Sequence, residues 1–291
     1  MATISQWVAG ARPRTLPAAL APVAVGTGSA AGLGHLDPGL ALLALLVAVL
    51  LQIGVNYAND YSDGIRGTDA ERVGPVRLVG QGLATPALVK YAAFVCFGLA
   101  CLAGLALTGL SGVTWLLGIG VAAVLAAWFY TGGPRPYGYA GLGEVFVFVF
   151  FGLVATVCTA YTQVKTTDTG TWAGAVGIGS IITAVLVVNN LRDIAGDTVS
   201  GKHTLAVRVG DRTTRWFYVA LMALPAGCSV LAALTGHPCA LLSLLGLVPA
   251  VKPCRSVLAG AQGPALVAVL GTTGLVSLTY GLTLAAGLAV R

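Results

Sequence analysis

The sequence predicts an all-α polytopic membrane protein of about nine transmembrane helices, and three observations carry that prediction. Of its 291 residues, 57% are hydrophobic and only 9% charged, where a soluble domain carries roughly a quarter of its residues as Asp, Glu, Lys or Arg. Apolar runs near 16–34, 39–58, 88–109, 113–131, 143–162, 173–190, 216–235, 239–258 and 264–290 fill most of the chain, each close to the ~20 residues a helix needs to cross the hydrocarbon. Alternating segments of ~10 residues, the mark of a membrane barrel, are absent, so closed helices are left to satisfy the backbone in lipid.

The runs read in order as follows. Pro13, Pro17 and Pro22 are entry and kink features of the first. The second runs out into the polar stretch Asn56–Gly64, and the sixth ends in a similar one, Asn189–Asp197. Trp115 and Trp128 mark the two ends of the fourth run, Trp172 precedes the sixth and Trp216 opens the seventh, positions that suit amphipathic rings at membrane interfaces. Gly28 with Gly32 and Gly170 with Gly174 fit small-xxx-small spacing and read as close helix packing. Connections are short, so residues 1–291 read as one integral membrane domain, and Met1–Gln6 lacks the basic start and cleavage site of a removable signal peptide. The six cysteines sit singly in apolar runs, with no C-x-x-C pair, and read as packing residues.

A net charge of +6 could suggest an acidic partner such as nucleic acid. The distribution gives another explanation. If successive connections alternate sides, fourteen of the sixteen Lys and Arg lie with the N-terminus and the even-to-odd loops; Lys165 and Arg291 alone lie opposite. The positive-inside rule then places the N-terminus in the cytoplasm and, with nine spans, the C-terminus outside. No nucleic acid is needed.

The carboxylates follow the same side: eight of ten, all but Asp37 and Asp168. Glu71 and Asp211 read as solvated loop charges. Two groups do not. In Asn56-Tyr-Ala-Asn-Asp60-Tyr-Ser-Asp63-Gly64, Asn56, Asp60 and Asp63 fall at i, i+4 and i+7; in Asn189-Asn-Leu-Arg-Asp193-Ile-Ala-Gly-Asp197, Asn189, Asp193 and Asp197 fall at i, i+4 and i+8. Each set shares one helix face. Helix-end capping explains one Asp well and two matching clusters poorly. An intramembrane acid costs roughly 2.5–3.5 kcal/mol at the bilayer centre and less near the interface, so such groups usually line a cavity and serve function.

Four converging carboxylates resist ionisation unless a cation joins them. Oxygen ligands without His or Cys point to a hard ion, and Mg²⁺ typically takes one or two carboxylates plus substrate phosphates. Asp60, Asp63, Asp193 and Asp197 are therefore the candidate metal ligands, with Asn56 and Asn189 positioning metal or phosphate oxygens. Lys202, then Arg66 and Arg192, are candidates to neutralise the phosphate's remaining charge. Gly196–Lys202 resembles a P-loop, but His203 replaces the required Ser/Thr and no strand precedes it, which excludes nucleotide hydrolysis on this motif. A secondary transporter would also bury ionisable groups in a helical bundle, but near the midplane rather than at one face.

These residues resemble the UbiA-type intramembrane prenyltransferases, whose signature is two aspartate-rich motifs at cytoplasmic helix ends. Asn189-x-x-x-Asp193-x-x-x-Asp197 matches the second motif; the first departs from it, with Gly64 four residues after Asp60 and Asp63 as the second acid, leaving Asp69 a candidate further ligand. Asn59-Asp60-Tyr61-x-Asp63-Gly64, Ala11–Pro17, Tyr130-Thr-Gly-Gly-Pro134 with Tyr137-Gly138, and Gly201-Lys202-x-Thr204-Leu-Ala-Val-Arg208 are similar to the branch that prenylates 1,4-dihydroxy-2-naphthoate in menaquinone biosynthesis.

The resemblance implies nine helices around a central cavity, open sideways to lipid, in the bacterial cytoplasmic membrane. It implies transfer of a polyprenyl group from polyprenyl diphosphate to the naphthoate carbon that bears the carboxylate, with loss of carbon dioxide and pyrophosphate, giving demethylmenaquinol. Tyr57, Tyr61, Tyr130, Tyr137 and Tyr139 are candidates to shield the allylic cation, and Arg14 or Arg135 to hold the acceptor's carboxylate. The aspartates read only diphosphate, so 4-hydroxybenzoate, homogentisate and haem stay open as acceptors.

Overall fold

Proline starts most of the helices that the apolar runs form, because its missing N–H costs nothing in a first turn. In the computed structural model, which describes residues 2–67 and 76–290, these are α1 (Pro17–Gly32), α2 (Pro38–Ile65), α3 (Pro86–Ser111), α4 (Leu116–Phe129), α5 (Gly143–Val164), α6 (Thr169–Val199), α7 (Asp211–Leu234), α8 (Pro238–Leu258) and α9 (Pro264–Ala289). Asp37 caps α2 by accepting from Gly39 and Leu40 N–H at 2.9 and 3.0 Å, and Asp168 caps α6 by accepting from Thr171 N–H at 2.9 Å. No strand occurs among the described residues.

Seven of the nine are long and apolar enough to cross a bilayer; α1 and α4 have 16 and 14 residues. At ~1.5 Å per residue these two are short of a ~30 Å hydrocarbon layer. The chain is an all-helical, multi-pass membrane protein. Its helix bounds differ from the apolar runs where it matters: α2 continues to Ile65 and α6 to Val199. Apolarity stops at the polar clusters, but neighbouring segments satisfy those side chains, so both helices continue through them.

α6 is the central post, with 78% of its most apolar window buried against 22–39% in the other spans of full length. It packs on α7, α9 and α5, while α1 packs on α9 and α5, and α2 on α3. Small residues permit these approaches. A Cβ on Gly28 or Gly32 would strike the backbone of Ala285 or Leu288 in α9, and Gly152 of α5 meets Gly179 of α6 backbone to backbone. Between its α-helical ends α5 is π-helical over Phe148–Val154. The polar ends of α2 and α6 thereby lie around one cavity.

Candidate active site

The last turns of α2 carry two polar faces rather than one. Asn56 Nδ2 donates to the Ala11 carbonyl at 2.8 Å and to Thr15 Oγ1 at 3.0 Å. Asp60 is fully buried, and its two oxygens accept from the backbone N–H groups of Leu78 and Val79 at 2.6 and 3.1 Å. This face holds the N-terminal segment and the turn at 78–80. Asn59 and Asp63, also four residues apart, occupy the adjacent face and line a cavity of about 880 Å³. The expectation that Asp60 is a metal ligand and that Asn56 positions metal or phosphate oxygens is corrected on this geometry: Asn56 lines only a second, apolar cavity, and Asp60 lines neither. Asn59 was missed, although Asn59-x-x-x-Asp63 repeats the spacing of Asn189-x-x-x-Asp193.

On α6, the Arg192 fork gives Asp193 two bonds, at 2.7 and 2.8 Å, and its terminal nitrogen also donates to Asn189 Oδ1 at 2.9 Å. Asn189, Arg192 and Asp197 line the same cavity as Asp63. Gly201, at φ +72°, takes the left-handed conformation that glycine favours, and the chain turns back with Lys202 N–H donating to the Asp197 carbonyl at 2.8 Å. Buried Lys202 then reaches Asp63, Nζ to Oδ1 3.0 Å, across 139 residues of sequence. Through Lys202 the two acidic motifs are joined.

Tyr139 completes this junction. Its hydroxyl donates to Asp63, and the Lys202 ammonium sits 4.6 Å from its ring centroid. Burial first, and then the Asp63 anion, push the Tyr139 phenol above its ordinary pKa, so it stays a proton donor. Arg66 binds the Thr131 carbonyl and the Gly133 carbonyl, the latter at 2.5 Å, and its guanidinium lies 5.2 Å from the Tyr139 ring. It ties the end of α2 to the 131–139 loop and does not line the cavity.

Of the two arginines expected at the acceptor's carboxylate, Arg14 lines the polar cavity, while Arg135 is exposed and lines neither. Tyr130 lines both cavities. Tyr137 lines only the apolar one, stacked on Phe146 at 4.0 Å with its hydroxyl on the Ala126 carbonyl at 2.8 Å. Tyr57 bonds the Trp7 carbonyl at 2.9 Å and Tyr61 stacks on Trp128 at 6.1 Å; neither lines a cavity. Arg12 and Arg77 do line the polar cavity, though by sequence they counted only as loop charges. Asp69 and Glu71 fall outside the described residues.

The polar cavity thus carries Arg12, Arg14, Arg77, Arg192 and Lys202 against Asp63 and Asp197. Cations outnumber anions among the described lining residues, a balance that favours a multiply charged anion. Among the described residues no three acidic, His or Cys groups gather on one point. Asp193 lines neither cavity, its carboxylate being held by Arg192; the cavity-lining Asp63, Asp197, Asn59 and Asn189 carry oxygens of the kind Mg²⁺ shares with phosphate, one or two carboxylates per ion, rather than an all-protein cage. The apolar cavity, about 560 Å³ between α1, α2, α3, α4 and α5, shares Ala18, Gln52, Asn59, Tyr130, Val147 and Phe151 with the polar one. The two are compartments of one space.

A helical membrane bundle with paired Asn/Asp motifs at one cavity defines an intramembrane diphosphate-using enzyme. The chain belongs to the UbiA prenyltransferase family, which its residues 19–260 match. It is 52% identical over 289 residues to the 1,4-dihydroxy-2-naphthoate octaprenyltransferase of Mycobacterium tuberculosis, covering 99% of this chain and 98% of that one. The Escherichia coli enzyme of the same name is 43% identical over 222 residues, 74% of this chain and 72% of that one. In three dimensions it superposes on a UbiA homolog from Archaeoglobus fulgidus bound to GPP and Mg²⁺ with a TM-score of 0.69, at 15% identity, over 98% of this chain and 100% of that one. A UbiA homolog from Aeropyrum pernix K1 gives the same TM-score at 14% identity over 92% and 96%.

Proposed function

We propose that this chain transfers a polyprenyl group from polyprenyl diphosphate to 1,4-dihydroxy-2-naphthoate, in a Mg²⁺-dependent reaction that releases carbon dioxide and pyrophosphate. The observation that carries the reading is the two-compartment cavity, cationic around Asp63 and Asp197 and apolar from Gln52 outward. A prenyl diphosphate has the same two parts. The naphthoate as acceptor rests on the near-full-length similarity to enzymes named for it.

Asp63 and Asp197 would hold Mg²⁺, with Asn59 and Asn189 contributing carbonyl oxygens and Asp193 joining them once Arg192 turns to phosphate. Mg²⁺ there supplies charge that stabilises the departing pyrophosphate. Arg12, Arg77, Arg192 and Lys202 bind the diphosphate oxygens and keep the donor's C–O bond at the mouth of the apolar compartment. Tyr130, Tyr139 and Phe151 offer ring faces to the allylic cation as that bond breaks. Arg14 pairs with the acceptor's carboxylate. The new C–C bond forms at the carbon bearing that carboxylate, whose C–C electron pair returns to the ring as carbon dioxide leaves. The bilayer supplies the long tail, and the active site and N-terminus face the cytoplasm with the C-terminus outside.

Purified protein in detergent, given polyprenyl diphosphate and the naphthoate, is expected to form prenylated product and carbon dioxide with Mg²⁺ and none with EDTA. Product formed equally in EDTA would remove the metal from this reading. Product with 4-hydroxybenzoate and none with the naphthoate would replace the acceptor.

A further inference from the structure

Glu144, unlike Asp60 with its two backbone N–H partners, is a buried acidic side chain that neither the diphosphate chemistry nor a contact with another segment's backbone accounts for. It stands in the first turn of α5, 4% exposed. Its Oε1 accepts from Asn190 Nδ2 at 2.8 Å, and its Oε2 is buried with no hydrogen-bond partner. No Lys or Arg is paired with it among the described residues. An uncompensated carboxyl inside a membrane helix is costly, and such groups generally serve function.

Asn190 follows Asn189 but points roughly 100° further round α6. It is 7% exposed and lines the polar cavity beside Ile182, Leu186, Val147 and Phe151. Committing Nδ2 to Glu144 fixes which end of the amide remains. Oδ1 makes no bond within the described residues, and Asn190 therefore offers the cavity an acceptor with apolar walls around it. A diphosphate presents chiefly acceptor oxygens, which an amide oxygen cannot satisfy. A phenolic hydroxyl on a flat ring donates to an amide oxygen and fills the space between Val147, Leu186 and Phe151.

We infer that Asn190 is a specificity-determining residue that accepts a hydrogen bond from a ring hydroxyl of the aromatic acceptor, and that Glu144 is a positioning residue that holds its amide in the accepting orientation. The inference rests on the proposed aromatic prenyl transfer and names the contact that reads the acceptor. The approach of α5 and α6 at Gly152 and Gly179 brings Glu144 and Asn190 together.

The test measures KM for 1,4-dihydroxy-2-naphthoate and for the prenyl diphosphate, together with inhibition constants of 1-hydroxy-2-naphthoate and 2-naphthoate against the dihydroxy acceptor. Wild type, Asn190→Leu, Glu144→Gln and Glu144→Ala are compared. In wild type, removing the hydroxyl that donates to Asn190 should weaken binding about ten-fold, the size of one net hydrogen bond. In Asn190→Leu that step should vanish, with acceptor KM raised about ten-fold and diphosphate KM within two-fold of wild type. Glu144→Gln, which can turn the amide over, should flatten the step while retaining the melting temperature. If the step persists in Asn190→Leu and in both Glu144 variants, or if diphosphate KM rises as much as acceptor KM, the inference is overturned. Wild-type protein that prenylates no aromatic acceptor overturns the proposed function and this inference with it, whereas normal prenylation with an unchanged hydroxyl step overturns the inference alone.

Discussion

Exchanging Asp60 and Asp63 for Asn, one at a time, separates a group that holds the fold from one that faces substrate. Asp60→Asn replaces one oxygen by an NH₂ that meets a backbone N–H it cannot accept, where the carboxylate now takes both Leu78 and Val79. Hydrogen bonds to a charged group contribute about 1.5–3 kcal/mol each, and a buried unsatisfied donor costs about 1–3. A net loss of about 3 kcal/mol follows, roughly 5–10 °C in Tm for a chain of this length. Turnover per folded molecule should stay within about three-fold. Asp63→Asn removes an anion from the cavity and from Lys202 at 3.0 Å. Losing a transition-state contact of ~3–4 kcal/mol lowers kcat/KM about 10²–10³-fold. Thermal unfolding in detergent and prenyl transfer per folded molecule read the two effects. An Asp60→Asn protein that is stable yet inactive, or an Asp63→Asn protein within ten-fold of wild type, would refute the assignment of faces.

Tyr139→Phe keeps the ring under Lys202 but removes the hydroxyl from Asp63; loss of a hydrogen bond to a charged group should lower kcat about ten-fold, and steady-state kinetics showing no change would count against the junction. Gly104 lines the apolar compartment, and a Cβ there would meet nothing nearer than Val47 Cγ2 at 3.9 Å, so Gly104→Trp should fold and shift donor preference toward shorter isoprenoids in competition assays. At the other end, burial pulls the Asp168 pKa up, but bonds from Thr171 N–H, His237 and the Thr171 hydroxyl outweigh it and hold the carboxyl below its ordinary value. Such a depressed carboxylate stabilises the fold above its unfolded pKa, and that contribution is lost as pH falls through the folded value. Wild type should therefore lose Tm below about pH 4 more steeply than Asp168→Asn, measured against a pH series.

The layout of spans was legible because bilayer thickness imposes a length on apolar runs, and proline marks the starts of α1, α2, α3, α8 and α9. Where apolarity ended, the reading stopped early, short of Ile65 and Val199. Helical spacing gave the second motif directly but offered two solutions for the first, since Asn56/Asp60 and Asn59/Asp63 are both four residues apart. Choosing between them depends on where residues 11–15 and 78–79 sit, which is a tertiary fact. A sharper signal was present: Asn59/Asp63 and Asn189/Asp193 share one spacing, and a face that must meet its counterpart should repeat it. Arg77 and Glu144 were less accessible still, because a loop cation and a helix-end acid look alike whether they are solvated or buried.

Lys202–Asp63 and Arg192–Asp193 are poor devices for stability alone, since desolvating two charges offsets most of their attraction. Their arrangement makes sense as a site with charge held in reserve. Each pair is buried, at 6% and 4% side-chain exposure for the first and 6% and 9% for the second, so neither is screened by bulk water, and each adjoins a cavity that Arg12, Arg14 and Arg77 also line. The proposed diphosphate would meet Lys202 and Arg192 there already ordered by their carboxylates. The same logic explains why Glu144 is kept apart from these cations. An acid bonded to Lys202 or Arg192 would belong to the diphosphate, whereas one bonded only to Asn190 leaves that amide to read an uncharged donor, so one cavity can distinguish its two substrates by charge before shape is consulted.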